Sequence, residues 1–460
     1  QQGMITGIVK DVNGEPIIGA SVKVQGTTVG TITDLDGKFS VKASSGAVLQ
    51  VSYIGYVTEK IQVGNRTGLT ITLKEDSHLE DEVVVVGYGT QKKVNLTGSV
   101  EAVSGKDLAK RPVMNTMSAL QGMASGVTVT STSGQPGKED ESIMIRGIGT
   151  LNNSNPLVLI DGVASSVNAV NPQDIESISI LKDASTTAIY GIKGANGVLV
   201  VKTRRGKEGK PQINVRLEGG IQTPVRTPDF LNSYNTAILV NEAYENDGMP
   251  RLFSKKDIMA FRDHTDPYGH PDVNWYDEIF KKNAFQENVN VDISGGSKRL
   301  RYFVSAGYFT QDGMVKDFGT KGNDVNSNYF YRRFNYRTNV DFDVTDNLNM
   351  RLDVSSRFMN INEPCNMNAT GEIYDFSKMH PYSAPVLNPN GSYAYLRDTE
   401  GYKPTLNARL ANEGYKRTRR NDNNILYGAT WKMDFLTQGL AANFRVAYSS
   451  VDENYRQVHR

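Results

Sequence analysis

The stretch FYRRFNYRTNVDFDV, residues 330–344, decides the fold of this chain. Its apolar and polar side chains alternate with few interruptions. One face carries Phe330, Phe334, Tyr336, Val340, Phe342 and Val344, with Arg332 and Thr338 as exceptions, and the other carries Arg333, Asn335, Arg337, Asn339, Asp341 and Asp343. Successive side chains of a β-strand point to opposite faces. The stretch therefore predicts one long strand with an apolar face and a polar face.

Similar runs recur throughout the chain beyond residue 210. We predict seven strands, at about residues 211–222, 284–296, 299–312, 328–344, 347–359, 424–436 and 440–453. They are much longer than the usual strand of about 5–6 residues in a globular sheet. An ordinary half-buried sheet would explain the two faces. The connections, however, alternate between tight turns and long loops, and this asymmetry is typical of outer-membrane barrels.

Seven strands are too few to close around the domain that precedes them. An open sheet edge in lipid leaves backbone groups unpaired. A lumen wide enough for a plug of about 115 residues needs about 22 strands. We therefore expect the sequence to be the N-terminal fragment of a longer barrel protein.

The composition excludes several other classes. The 51 basic and 50 acidic residues give a net charge of +1, so no global field attracts nucleic acid. Mean hydropathy is −0.43 and no run of about 18 apolar residues occurs, which excludes helical membrane spans. Cys365 is the only cysteine, so an intrachain disulfide and a multi-cysteine zinc site are excluded. The chain begins without a signal peptide, and we expect that one has been removed.

Residues 1–75 predict a small β-sandwich. Short β-rich runs alternate with turn signals at intervals of roughly 8–12 residues, as in sandwich domains. Asp36-Gly37 lies between residues 31–33 and 39–41 and predicts a β-hairpin there.

Residues 76–93 are predicted to form a linker with an unusual centre, in which Val83, Val84, Val85 and Val86 follow acidic Glu82. From periodicity alone, a buried strand of the next domain is the simpler interpretation. The alternative is a detachable strand that pairs with the edge of a partner's sheet, where backbone hydrogen bonds supply the affinity.

Residues 94–210 predict an α+β domain. Helix signals over residues 104–117 are interrupted by Pro112, and a short helix is expected around 185–190. Strands are predicted at 127–130, 143–146, 157–160, 175–181 and 198–202. The glycines of YGIKGANG (190–197) precede a strand instead of opening a helix, so a nucleotide-binding loop is not supported.

Five stretches of the chain resemble known families. GIVKDVNGEPIIGASVKVQGTTVGTITDLDGKFSV (7–41) resembles the carboxypeptidase regulatory-like domain, which is not catalytic. IMIRGIGTLNNSNPLVLIDGV (143–163) and IESISILKDASTTAIYGIKGANGVLVVKTRRG (175–206) resemble the plug of SusC-like (SusC/RagA) TonB-dependent outer-membrane transporters. DEVVVVGYGTQKK (81–93) resembles their TonB box, and residues 274–316 resemble two of their barrel strands.

This resemblance implies a mainly β protein with four parts: a β-sandwich (1–75), a linker with the TonB-box strand (76–93), a plug domain (94–210) and the first strands of a large antiparallel transmembrane β-barrel (211–460). The segment that pairs with TonB would be Glu82, Val83, Val84, Val85, Val86 and Gly87. The plug motifs would be Arg146, Gly147, Asp161, Gly162, Lys182, Asp183, Tyr190, Gly191, Gly194 and Gly197. For these plug residues a structural role is the main interpretation: glycine for positive φ, arginine and aspartate for internal ion pairs.

The implied function is active import of a glycan oligosaccharide or oligopeptide across the Gram-negative outer membrane, with the N-terminal domain in the periplasm. The implied partners are TonB, a SusD-like surface lipoprotein and outer-membrane lipid, and no nucleic acid. The alternative is a surface adhesin made of β-domains that binds without transport.

The sequence predicts no enzyme, no cofactor and no metal site. It contains no nucleophile elbow and no HExxH motif. His264 and His270 lie among three aspartates, but a solvated loop explains them better than a metal site. Aromatic side chains in the long loops, such as Trp275 and Tyr276, would contact cargo or pack within the loops.

Overall fold

The structure is a computed structural model of the chain. It describes residues 2–459 except 12–13, 26, 28, 45, 54–55, 57, 65–67, 74–82, 87–88, 93–99, 112, 114, 132, 139–140, 148–153, 319–327, 366–378, 399–400 and 413, and it describes only the backbone of residues 2, 83–86, 89–92 and 397–398. The chain divides into two compact units, Gln1–Val100 and Glu101–Arg460. Among the residues described, no helix combines the length and the apolar composition that a membrane crossing requires.

The first unit contains the predicted β-sandwich. Its strands are β1 (Gln2–Lys10), β2 (Ser21–Val24), β3 (Gly30–Ile32), β4 (Lys38–Ser44), β5 (Val48–Ser52), β6 (Glu59–Gln62) and β7 (Gly68–Thr72). They form one sheet in the order β4-β1-β7 and a second in the order β3-β2-β5-β6. Alternate residues of β4, such as Phe39 and Val41, point inward and meet Leu49 and Val51 of the other sheet in one core. The alternation of period two thus builds both layers.

The hairpin prediction at Asp36-Gly37 is wrong, although the turn itself is present. Gly37 adopts a φ of 72°, and the Asp34 N–H bonds to the Lys38 carbonyl at 2.9 Å. The strands on either side of this turn lie in different sheets, since β3 pairs with β2 while β4 pairs with β1. The turn signal fixes the local reversal of the chain, but the core of the sandwich decides which strands pair.

The valine run forms one strand of a small hairpin. Strand β8 (Val83–Val86) pairs antiparallel with β9 (Gly89–Lys92), and Val86 lies opposite Gly89. Two residues connect this pair, so Val86 and Gly89 exchange both backbone hydrogen bonds and the next pair does not. The backbone groups of Val83 and Val85 therefore point away from β9, and no other described strand pairs with this edge.

The second unit begins with the predicted α+β domain. Its elements are β10 (Val100–Ser104), α1 (Gly105–Ala109), α2 (Thr116–Leu120), β11 (Val127–Ser131), β12 (Glu141–Ile145), β13 (Leu157–Ile160), β14 (Val163–Ala164), β15 (Ile175–Leu181), α3 (Ala184–Thr187), a 3₁₀ segment (Ala188–Gly194) and β16 (Val198–Thr203). Five strands form one sheet in the order β10-β15-β16-β13-β14, and β11 pairs with β12. Ile178, Ile180, Leu199 and Val201 are fully buried in its core.

All seven predicted long strands are present and form one antiparallel sheet, here called the wall. They are β17 (Gly209–Gln222), β18 (Ala284–Gly296), β19 (Leu300–Asp312), β20 (Phe330–Asp343), β21 (Leu348–Pro364), β24 (Gly414–Lys432) and β25 (Ala441–His459), with the small hairpin β22 (Tyr395–Asp398) and β23 (Gly401–Pro404) inserted before β24. The predicted first and last residues of the strands agree with the structure to within a few residues, except at β21, β24 and β25. These three strands extend further toward the end of the wall that carries the long connections, here called the long-connection end.

The wall is polar on its buried face and apolar on its exposed face. On β20 the arginines Arg333 and Arg337 are 3% and 5% exposed, whereas Phe334 is 45% exposed. Leu352 and Phe444 on neighbouring strands are 44% and 58% exposed. A soluble sheet buries its apolar face and exposes its polar face. The reversed arrangement is that of a sheet whose outer face contacts hydrocarbon.

The long connections between wall strands pack into a compact module. It contains α4 (Ser233–Asn246), α5 (Lys255–Asp263), α6 (Trp275–Ile279) and α7 (Leu406–Asn412). Trp275, Ile279, Leu406 and Leu410 are buried together in its core. The module therefore covers one end of the wall, and the tight turns lie at the other end.

Candidate transport pathway

The end of the plug is attached to the wall by two consecutive arginines. Arg204 forms a bidentate pair with Asp292 of β18, at 2.8 and 3.1 Å. Arg205 donates to both carboxylate oxygens of Asp341 on β20, at 2.6 and 2.8 Å, and to Asp353 on β21 at 2.9 Å. Planar guanidinium groups suit such two-point contacts. The strand β16 delivers both side chains to the polar face of the wall directly after its last residue, Thr203.

Asp161 lies at a second attachment, where β13 ends. Its Oδ2 accepts a hydrogen bond from the Thr203 hydroxyl at 2.6 Å, and its Oδ1 lies 3.2 Å from Arg351 Nη2 on β21. Burial alone would raise the pKa of Asp161, but Arg351, Arg337 and the Thr203 hydrogen bonds together hold it below its ordinary value. The carboxylate thus remains charged in a buried position because the wall supplies cations.

Asp174 makes the third attachment. Its Oδ1 accepts a hydrogen bond from the Ser305 hydroxyl of β19 at 2.7 Å, and Arg337 lies 3.7 Å from its other oxygen. Burial raises the pKa of Asp174 despite the opposing effect of Arg337. The carboxylate–guanidinium contacts of these three attachments join the plug to the wall toward the tight-turn end and the middle of the strands.

A fourth attachment lies at the long-connection end. Lys138, in the plug loop after β11, approaches both oxygens of Glu363 on β21, at 2.6 and 2.5 Å, and Gln135 donates to the same carboxylate at 2.8 Å. Glu363 is buried. Gly137 has a φ of 77°, and a Cβ there would lie 2.5 Å from the Tyr331 ring. Only glycine allows this loop to approach the wall so closely.

A cavity of about 1300 Å³ opens beside this loop at the long-connection end. Gly134 of the plug lines it together with Phe230, Tyr276, Phe280, Met314 and His380 of the connections. Trp275 is 3% exposed and donates from Nε1 to the His380 carbonyl at 3.2 Å. Its ring therefore packs within the loop module and supports the cavity.

The plug motif residues mostly shape turns and form internal contacts. Arg146 and Asp161 adopt φ values of 59° and 51°, each directly before a glycine with positive φ, Gly147 and Gly162. Arg146 pairs with Asp183 at 2.5 Å, so the structure brings these two predicted residues together.

The plug motif residues between 182 and 197 also shape turns and form internal contacts. Lys182 pairs with Glu101 and donates to the Ser125 carbonyl. Gly191 and Gly197 have positive φ, and a Cβ on Gly194 would lie 2.8 Å from the Thr187 carbonyl oxygen. Tyr190 is half-buried.

Of the predicted coupling residues, Val83–Val86 form β8, whereas Glu82 and Gly87 lie outside the described residues. The assignment of the coupling and plug residues remains a prediction.

Among the attaching residues, Asp161 was predicted as a plug motif residue, and Arg337 and Asp341 were expected on the polar face of the wall. The attachments between them were not predicted. The available signal was the pair Arg204-Arg205 at the end of the last plug strand.

The histidines of the first long connection hold the loop together. His270 hydrogen-bonds Asp257 at 3.0 Å and Asp266 at 3.1 Å. These hydrogen bonds, the one to Asp257 first, raise the pKa of His270 against the opposing effect of partial burial. Among the residues that the structure describes, no group of three or more histidine, cysteine or acidic side chains is arranged to hold a metal ion.

Comparison with known proteins identifies the class. Residues 92–198 match the TonB-dependent Receptor Plug Domain, and residues 5–85 match the CarboxypepD_reg-like domain. The chain is thus a TonB-dependent receptor with an N-terminal regulatory-like sandwich.

Similar proteins define the family within this class. The chain is 37% identical over 372 residues to the TonB-dependent receptor SusC of Bacteroides thetaiotaomicron, covering 78% of this chain and 34% of SusC. It is 36% identical over 399 residues to the TonB-dependent receptor P26 of Formosa agariphila, covering 85% of this chain and 37% of P26. Among solved structures, the RagAB peptide importer in its open-open state matches with a TM-score of 0.67 and 26% identity, over 81% of this chain and 43% of that chain. The chain belongs to the SusC-like TonB-dependent receptors, and it spans about a third of the length of these curated relatives.

Proposed function

We propose that this chain forms part of a transporter that imports oligosaccharides or oligopeptides across the outer membrane, energised by TonB and assisted by a SusD-like surface lipoprotein. The observation that carries the proposal is the reversed wall, with buried Arg333 and Arg337 on one face and exposed Phe334 and Leu352 on the other. An adhesin made of soluble β-domains would bury the phenylalanine and leucine instead.

The cavity beside Gly134 supplies the entrance for cargo. It lies at the long-connection end, which is the outer end in a barrel of this type. Aromatic and apolar side chains line it together with polar groups such as Arg226 and Asp229. Such a mixed lining suits both peptides and the apolar faces of sugar rings. The solved RagAB structure, to which this chain is similar, is described as a peptide importer, and this supports oligopeptides as a class of cargo.

The free edge of β8 supplies the coupling site. The backbone N–H and C=O groups of Val83 and Val85 point away from β9, so a strand of TonB would add there and extend the hairpin to three strands. Force applied to β8 reaches the plug along the chain. The plug would then move against its polar attachments to the wall.

Uptake by cells tests this mechanism. Val85→Pro removes one N–H from the free edge, whereas Val85→Ile keeps both the N–H and the β-branched side chain. We expect Val85→Pro to abolish TonB-dependent uptake at normal surface expression and Val85→Ile to preserve it. Unchanged uptake by Val85→Pro, and by a second variant that lacks residues 83–86, would disprove the mechanism.

A further inference from the structure

The exposed face of the wall changes its chemistry along the strands. Residues directly opposite one another across β20, β21, β24 and β25 form rows on this face. Three successive rows are almost wholly apolar: Thr338, Val354, Ile425 and Tyr448; Val340, Leu352, Tyr427 and Val446; Phe342, Met350, Ala429 and Phe444. Ten residues separate Phe334 on β20 from Val344, which directly follows that strand. That spans about 25 Å along the membrane normal at about 3.3 Å per residue and a tilt of about 40°, which matches the apolar band of an outer-membrane barrel.

Two rows at the long-connection end are basic. One contains Arg332, Asn360, Arg419 and Asn454, and the other contains Phe330, Asn362, Arg417 and Arg456. Arg332, Arg417, Arg419 and Arg456 are here called the outer arginine cluster. All four occupy positions whose side chains share the exposed, lipid-facing side with Phe334 and Tyr448. On β20, Arg332 thus lies one row beyond the apolar band, whereas on β24 and β25 two polar rows, which contain Asn421, Asn423, Ser450 and Asp452, separate the cations from it.

The cluster is arranged without a carboxylate of its own. Arg332 and Arg417 lie over the same Phe330 ring, at 4.7 and 5.8 Å from its centroid, and Arg417 Nε donates to Asn362 at 3.1 Å. Across the described part of the chain, none of the four forms an ion pair within 4.0 Å, in contrast to Arg351 and Arg357 on the buried face.

Acidic residues border the cluster without matching its charge. Asp312 lies opposite Phe330 on β19, and Asp452 lies opposite Asn421 on β25. Glu287 is one strand further away, opposite Thr310. The four arginines therefore outnumber the two aspartates beside them.

The tight-turn end of the same face differs. The row of Phe342, Met350, Ala429 and Phe444 and the row of Leu348, Trp431 and Ala442 contain no charged residue. Lys298 and Arg299 at this end lie in a tight turn and not in the rows of the exposed face. The one-sided arrangement indicates a ligand on the outer side.

We propose that the outer arginine cluster binds the phosphate groups of a lipid in the outer leaflet, with its acyl chains lying along Phe334 and Phe358. This site rests on the proposed function, because that function places the long connections outside the cell. Guanidinium groups bind phosphate oxygens in pairs, and clustered basic residues next to a membrane bind anionic headgroups. The position of Arg332 directly beyond the apolar pair Phe334 and Phe358 favours a lipid-borne phosphate over a free anion.

The test uses the full-length receptor in phosphatidylcholine nanodiscs that contain a minor fraction of lipid A, a bisphosphorylated lipid. Native mass spectrometry measures the lipid A retained by each receptor. We expect Arg417→Gln combined with Arg419→Gln to weaken retention by about tenfold or more, the loss that corresponds to one or two charged hydrogen bonds. The matched control, Lys298→Gln with Arg299→Gln, removes the same charge at the tight-turn end and should retain lipid A like the wild type.

Further arms identify the source of the phosphate. The wild type and the double variant should retain lipid A without its phosphates equally well. Millimolar inorganic phosphate should not displace bound lipid A. Equal retention by the double variant and the wild type, or displacement by inorganic phosphate, would overturn the site. If the double variant lost the copurifying surface lipoprotein while its lipid A binding stayed unchanged, the site would also be overturned, because the cluster would then be a protein interface. Failure of every variant to enter nanodiscs would refute the membrane placement itself, which separates that failure from failure of the lipid site alone.

Discussion

Replacing Arg205 by glutamine removes the group that joins the end of the plug to two wall strands. Its guanidinium donates three hydrogen bonds, two to Asp341 and one to Asp353. The exposed fractions of the side chains are 17% for Arg205, 16% for Asp341 and 5% for Asp353. Asp353 keeps a second partner in Arg351, whose Nε lies 2.6 Å away. Asp341 is therefore the carboxylate that loses most in this variant.

The expected cost follows from this difference between the two aspartates. Removing one partner of a buried ion pair destabilises a protein by about 3–5 kcal/mol, because the other charge stays buried and uncompensated. Partial exposure of Asp341 allows water to replace some of the lost interaction, which favours the lower end, about 3 kcal/mol. A loss of this size increases the population of the detached plug end by more than about a hundredfold.

Hydrogen exchange of the full-length receptor measures that population. The amides of β16 (Val198–Thr203) are protected while the plug end stays attached, and local opening exposes them. We expect their exchange in Arg205→Gln to accelerate by about a hundredfold, and the double variant Arg205→Gln, Asp341→Asn to recover much of the protection because it leaves no unpaired carboxylate at this position. Arg251→Gln, at an exposed pair in the loop module, serves as the control and should leave β16 unchanged.

Unaltered exchange in Arg205→Gln would refute the idea that this ion pair attaches the plug. Faster exchange in the double variant than in Arg205→Gln would refute the electrostatic explanation, because the asparagine introduced by Asp341→Asn is neutral and leaves no charge uncompensated. Either result would mean that apolar packing of the plug core holds β16 in place.

Three further predictions concern the outer loop, the plug connection and pH. Glu363→Gln should weaken the contact with Lys138 and increase protease cleavage of the plug loop in the folded receptor, whereas an unchanged cleavage rate would show that the loop is held otherwise. Gly206→Ala should destabilise the plug by about 1–3 kcal/mol, because its Cβ would lie 2.3 Å from the backbone of the neighbouring wall strand, and thermal unfolding measures this. The pKa of His270 is raised, so its pairing with Asp257 stabilises α5 fully below a pH of about 6.5 and ceases to do so as pH rises through the raised pKa. Hydrogen exchange of α5 should show this pH dependence, and His270→Gln should abolish it. Hydrogen bonds with Ser254 first, and then with His270, lower the pKa of Asp257 to about 2, so on the acid side the contribution of the pairing disappears only as pH falls toward that value.

The wall was predictable from sequence wherever one face is apolar. Alternation located β20 to within about two residues at either end, since Phe334, Val340 and Phe342 alternate with charged residues. It missed the first ten residues of β24, which begins at Gly414 and not near 424. Both faces of that segment are polar: Arg417 and Arg419 point to the lipid side and Thr418 to the other. The alternation of apolar and polar residues that predicts a strand is therefore absent from this segment.

The attachments of the plug were not predictable for a different reason. Arg205 and Asp341 are 136 residues apart, and Lys138 and Glu363 are 225 apart. Local sequence shows only that Arg205 follows a strand and that Asp341 lies on a polar face. Which cation meets which carboxylate depends on the register between β16 and the wall, and that register is set by packing over the whole domain.

The chemistry of the plug–wall boundary constrains how a folded domain is held in a channel and still moved. An apolar boundary would lose about 25 cal/mol for each Å² that separation exposes to water, and nothing in the lumen would offset this loss. A polar boundary behaves differently, because water replaces the partners of Arg205 and Asp161 when they separate, so the net cost of complete separation is small. Each contact nevertheless resists partial rupture, since a charge that has lost its partner but not yet met water is strongly disfavoured. The plug is therefore stable at rest and, in the proposed cycle, leaves its attachments only when a pull on β8 is large enough to admit water along the polar face of the wall.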